Sequence, residues 1–164
     1  MLTAHELFGF MPAALSGEIL EFAYAEDKPL YKATLTAVAQ ARKVRPVFLQ
    51  QQARTQRHPT MTASLAKPAL DAAAQALLQG WLLKRQAALL REFLDALGIT
   101  HKDGAVEHLP ETMDDAKVRA AVEAALAKHP PAVVAAYLNA FASMNHIRWP
   151  ALDDLLKSDA RLQF

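Results

Sequence analysis

The sequence predicts an all-α protein: an irregular multi-helix bundle of about six to eight helices, built as two helical halves sharing a long central helix. Three observations lead there. Glycine is scarce, five in 164 residues, while alanine, the strongest helix former, is abundant. The nine prolines tend to sit where apolar periodic segments begin. Apolar residues then recur at helical rather than strand spacing along most of the chain. The expected organisation is one compact helical domain over residues 1–164, with 1–80 and 81–164 as possible subdomains.

The start, MLTAHELFGFMPAALSG, has no Lys or Arg, carries the acidic Glu6 and is interrupted by Pro12. It therefore does not read as a secretory leader. No window approaches the roughly 18 apolar residues of a membrane span. The expectation is a soluble cytoplasmic protein without membrane contact.

Residues 12–25 place Leu15, Ile19, Phe22 and Ala23 on one helical face. Asp27 can cap a second helix with Pro29 in its first turn. That helix repeats Leu30, Ala33, Thr34, Ala37, Val38, Ala41 and Val44 along a stripe of mostly small residues, which would let a neighbouring helix approach closely. The longest periodic run is 69–97. Leu70, Ala73, Ala74, Leu77 and Trp81 share one face. After Gly80 the apolar residues, Leu82, Leu83, Leu89, Leu90, Phe93, Leu94 and Leu97, move to the opposite side. Either the helix breaks near Gly80 or one long helix serves two bodies. One glycine costs a helix only about 1 kcal/mol, and the flanks are good helix formers, so the continuous helix is the favoured expectation.

The stretch ITHKDGAVEHLP comes next. Gly98 then Ile99 is a helix-ending pattern, and Asp103-Gly104 is a two-residue turn signal. A small hairpin would set Lys102 opposite Ala105 and His101 opposite Val106. His101 and His108 would then be diagonal neighbours with no third ligand at hand, so the segment reads as a connection and no metal is assigned. Thr112 and Asp115 resemble a capping box. Val118, Ala121, Val122, Ala125 and Leu126 line the next helix. His129-Pro130-Pro131 ends it and starts another bearing Val134, Tyr137, Leu138 and Phe141, and this short connection predicts an antiparallel pair. Pro150 opens a last helix with Leu152, Leu155 and Leu156. Trp81, Phe93, Tyr137 and Phe141 belong to the expected core. Phe8, Phe10, Trp149 and Phe164 lie in less regular stretches, suited to bundle ends or to a contact surface.

Little in the chain resembles catalytic chemistry. The absence of cysteine excludes thiolate nucleophiles, disulfides and Cys-based metal sites. A net charge of +1 provides no global field. There is no phosphate-cradling glycine loop, no Glu-x-x-His pair and no His-Glu-x-x-His run. Ser64-x-x-Lys67 has the spacing of a serine–lysine motif, but its structural context is missing.

Charge patterning is the strongest non-random feature. No acidic residue occurs between Asp27 and Asp71, a span that holds Lys28, Lys32, Arg42, Lys43, Arg45, Arg54, Arg57 and Lys67. All 17 acids lie outside the residues between those two aspartates, Asp27 and Asp71 included. Such a face can be solvated, can pair within the protein, or can meet an anion.

The leading functional expectation is a protein-interaction or scaffold module, self-association included. An alternative is binding of an anionic partner, an acidic protein surface or less readily nucleic acid, through residues 28–67, with Arg42, Lys43, Arg45, Arg54 and Arg57 as its contacts. A further alternative is a small-molecule enzyme with a site between the halves, using His101, His108 or buried carboxylates as acid–base groups. No catalytic residue, metal ligand or cofactor is assigned.

Overall fold

A computed structural model describes residues 1–164. It contains ten α-helices and no β-strand: α1 (Ala4–Phe10), α2 (Ala13–Glu26), α3 (Lys28–Ala41), α4 (Pro46–Gln51), α5 (Arg54–Leu65), α6 (Asp71–Arg85), α7 (Ala87–Leu97), α8 (Asp115–Lys128), α9 (Pro131–Met144) and α10 (Pro150–Ser158). Short 3₁₀ turns precede α6 and follow α10. No helix is long and apolar enough to cross a membrane.

Local chemistry explains most helix starts. The Glu6 carboxylate accepts from the backbone N–H and the hydroxyl of Thr3, each at 2.8 Å, and so fixes the first turn of α1. Asp27 accepts from the Leu30 N–H at 3.2 Å, with Pro29 in the first turn of α3. Pro46, Pro131 and Pro150 each open a helix, where a missing N–H costs nothing. The cap of α8 is Asp114, which accepts from the Lys117 N–H at 2.9 Å. Thr112, expected to play that part, lies outside the helix.

The chain divides into two compact units, Leu2–Trp81 and Leu82–Phe164. In the first, Leu7, Ile19, Leu20, Leu35, Met61, Leu65 and Leu77 are fully buried. Here α3 buries only part of the small-residue stripe expected of it, Thr34 and Val38. Its buried face is Tyr31, Thr34, Leu35, Val38 and Ala39, while Ala33 and Ala41 are exposed. Burying Tyr31 and Leu35 removes more apolar area from water than burying alanines, so the helix is rotated toward its large side chains.

In the second unit α9 is the centre: every residue from 133 to 142 is buried. Phe93 of α7 meets Tyr137 and Phe141 edge-on at centroid distances of 5.4 and 5.7 Å, and Phe141 lies 5.8 Å from Trp149. These spacings suit edge-to-face and tilted aromatic packing.

The run 69–97 is not one helix. Gln86, at φ −110° and ψ 21°, leaves helical geometry and separates α6 from α7. Gly80 sits inside α6, and a Cβ there would lie 2.6 Å from Leu30 Cδ2. That glycine therefore serves a close approach of α3 rather than a break. The stretch 45–67, read from sequence only as a basic segment, forms α4 and α5, with Pro59 inside α5.

Candidate functional site

The basic segment becomes a corner between α3 and α4. Helix α3 ends in a Schellman turn: the Lys43 N–H donates to Gln40 O and the Val44 N–H to Ala39 O, both at 3.0 Å. Lys43 holds the left-handed conformation, φ 57°, that glycine usually fills in this turn. Arg45 is the N-cap of α4, and Leu49 is the buried anchor of that short helix. The turn and the missing acids leave Arg42, Lys43 and Arg45 exposed, with no carboxylate paired to any of them. Among them Val44, Val47 and Phe48 are 39%, 44% and 58% exposed. Three exposed cations and three partly exposed apolar side chains thus share the stretch 42–48.

Arg54 and Arg57 belong to another environment. Arg54 donates to Glu21 Oε2 at 2.9 Å, and its guanidinium sits 4.5 Å from the Tyr24 ring centroid. Arg57 is only 8% exposed; its Nη1 donates to Gln50 O at 3.1 Å, closing the C-terminal end of α4, and its Nε has no hydrogen-bond partner. Its guanidinium carbon lies 5.7 Å from the Tyr31 ring centroid. The Tyr31 hydroxyl is 3.0 Å from His58 Nε2, and His58 Nδ1 is 3.5 Å from Glu21 Oε1. Burial lowers the His58 pKa; Glu21 opposes that, and Arg57 and Arg54 add to it. Burial likewise raises the Tyr31 pKa. A neutral imidazole that carries its proton on Nδ1 accepts the Tyr31 hydrogen at Nε2, which fits both distances. So of the five arginines and lysines singled out from sequence, three form an open surface and two brace the elements behind it. The aromatic signals Tyr24 and Tyr31 were missed because only folding stacks them against residues some 30 positions away.

Residues 98–114 form the long connection between α7 and α8. Gly98 takes φ 72° and the Ile99 N–H donates to Leu94 O at 2.9 Å. Lys102 and Ala105 exchange backbone bonds of 2.8 and 2.9 Å across Asp103 and Gly104, whose positive φ values match a type I′ turn. The hairpin stops at that single pair, so no ladder aligns His101 with Val106. His101 has both ring nitrogens engaged, Nε2 with Asp95 at 3.1 Å and Nδ1 as acceptor from the Gly104 N–H at 3.1 Å. It therefore braces the turn. His108 is exposed. The segment lines an open cavity of about 550 Å³ with Ile99, Pro110 and Met113 among its walls. Trp149 Nε1 ties it down by donating to Pro110 O at 3.1 Å. No group of three or more His, Asp or Glu side chains is placed to hold a metal ion.

Fold and surface together define an all-α helical protein carrying an open cationic–apolar corner. The chain matches no protein-family model, no curated protein and no solved structure.

Proposed function

We propose that the chain is a protein-interaction module that docks an acidic protein surface through the α3–α4 corner. The observation carrying this reading is the exposure of Val44, Val47 and Phe48 in the same short stretch as the exposed, unpaired Arg42, Lys43 and Arg45. Apolar anchors enclosed by a charged rim are the usual anatomy of a protein–protein interface. The aliphatic anchors favour a protein over nucleic acid, because a phosphate backbone offers Val44 and Val47 no apolar surface to bury. Helix packing behind the corner supports the same use. The carbonyl end of α4 is held by Arg57, so the anchors stand on a braced element rather than a loose loop.

The test is a photo-cross-linker, p-benzoylphenylalanine, placed at Phe48 in the full chain and irradiated in cells. The expected result is a discrete adduct with a protein that presents an acidic surface, weakened about tenfold or more when R42E/K43E/R45E is introduced. The same probe at Ala127, exposed on α8, serves as the control. No adduct at Phe48, or identical adducts at both positions, overturns the reading.

A further inference from the structure

The acidic groups of the Leu82–Phe164 unit are unevenly used. Glu92 contacts Lys128 and His129, Asp95 contacts His101, Asp103 contacts Arg91, Asp154 contacts Arg119, and Glu123 and Asp159 share Arg161. Apart from Asp153 on α10, the acids left over belong to one stretch of chain. Glu107, Glu111 and Asp115 are exposed and have no cationic partner, and Asp114 between them is engaged only with its own helix start. No Lys or Arg occurs from residue 103 to residue 116. The same segment provides apolar walls, Ile99, Pro110 and Met113, to the cavity of about 550 Å³. A connection of this length without a helix is uncommon in a compact unit and is usually functional or disordered; here Trp149 and the Lys102–Ala105 pair hold it in place.

These features mirror the α3–α4 corner. The corner has unpaired cations beside exposed apolar groups; the connection has unpaired acids beside a hollow that Ile99, Pro110 and Met113 line together with Glu107, Lys102, His101 and His108. We infer that the partner of the corner is a second copy of this chain: Arg42, Lys43 and Arg45 of one copy face Glu107, Glu111 and Asp115 of another, with Phe48 seated in the hollow beside Met113. The inference rests on the docking reading above and names its occupant. The two surfaces differ, so the contact is heterologous and propagates from copy to copy until it closes on itself or forms a string. Desolvated charge pairs with an aromatic anchor give a salt-sensitive contact.

Sedimentation velocity of the purified full chain tests this. At low ionic strength the sedimentation coefficient should rise with concentration up to about 1 mM, and it should fall back when salt is raised. The variants R42E/K43E/R45E and E107K/E111K/D115K should each sediment as monomers, since each presents like charges to itself. Mixed together, they should associate again, because the reversed corner of one now matches the reversed connection of the other. All six positions are exposed, and unchanged circular dichroism and melting of both variants accompany the expected result. The wild-type salt titration decides the matter without any variant. A wild-type chain that is monomeric throughout, or a mixture that stays monomeric, overturns self-docking. Self-docking fails alone if the Phe48 cross-link then captures another protein with an acidic surface; both readings fail if it captures nothing.

Discussion

Helices α3, α7 and α9 end in the same backbone geometry, yet the next apolar residue is buried after two of them and exposed after the third. Lys43, Gly98 and His146 all take positive φ. Val44, Ile99 and Ile147 each donate back to the carbonyl five residues earlier, Ala39, Leu94 and Ala142. Ile99 and Ile147 are 8% and 6% exposed, whereas Val44 stands out in solvent with Val47 and Phe48. The turn itself therefore does not require burial. In the second unit the turn delivers its apolar residue to the core. In the first it delivers one to the surface, amid cations with no acid to meet. That difference leaves the apolar side chains of the corner exposed.

The comparison can be broken most directly through stability. Ile147→Ala should cost about 2–4 kcal/mol, the transfer and cavity cost of a buried aliphatic side chain. Val44→Ala should stay within about 0.5 kcal/mol, as for an exposed position. Urea unfolding of the two variants measures both, and comparable losses would show that Val44 is part of a core after all.

A smaller effect concerns the turns. Lys43→Gly and His146→Gly should each stabilise by about 0.5–1 kcal/mol, because a left-handed conformation is strained for a residue with a Cβ. Equal gains at both sites would confirm that the two turns are alike and that they differ only in the burial of Val44 and Ile147. A loss at Lys43 would assign its side chain a contact within the unit.

The last probe reaches the support behind the corner. His58 titrates lower in the fold than in the unfolded chain, first because it is buried. The unfolded chain then binds the extra proton more readily, so stability is full above the ordinary imidazole pKa of about 6.5 and declines as pH falls below it. Glu21, Arg54, Arg57, Tyr24 and Tyr31 face this ring. His58→Gln should flatten the decline between about pH 7.5 and 5.5 in denaturant titrations. An unaltered slope would place the titrating group elsewhere.

Much of the helical fold is legible in particular residues. Asp27 and Pro29 mark α3, Pro130 and Pro131 separate α8 from α9, and Pro150 starts α10, because capping and proline effects act within a turn of chain. The Thr3–Glu6 box that starts α1 is equally local in the sequence but was not assigned from it. The helices α4 and α5 were hidden because their charged and glutamine-rich text has little apolar period, and because Pro59 reads as a helix breaker. The candidate site was visible as a run of cations without acids. Its division into an open corner and a braced interior was not, since nothing in the sequence separates Arg45 from Arg57.

What the sequence by itself determined is the all-α class, the stops and starts set by proline, aspartate and glycine, and the separation of charge along the chain. These arise from interactions spanning a few residues. Only the tertiary structure decided that Gly80 lies inside a helix to admit Leu30 while the break falls at Gln86. It also decided that α3 turns its large side chains inward, and that Val44 stays out where Ile99 and Ile147 go in. The physical reason is the same in each case. Burial is set by which distant side chains arrive at a position, and helical periodicity carries no record of their identity.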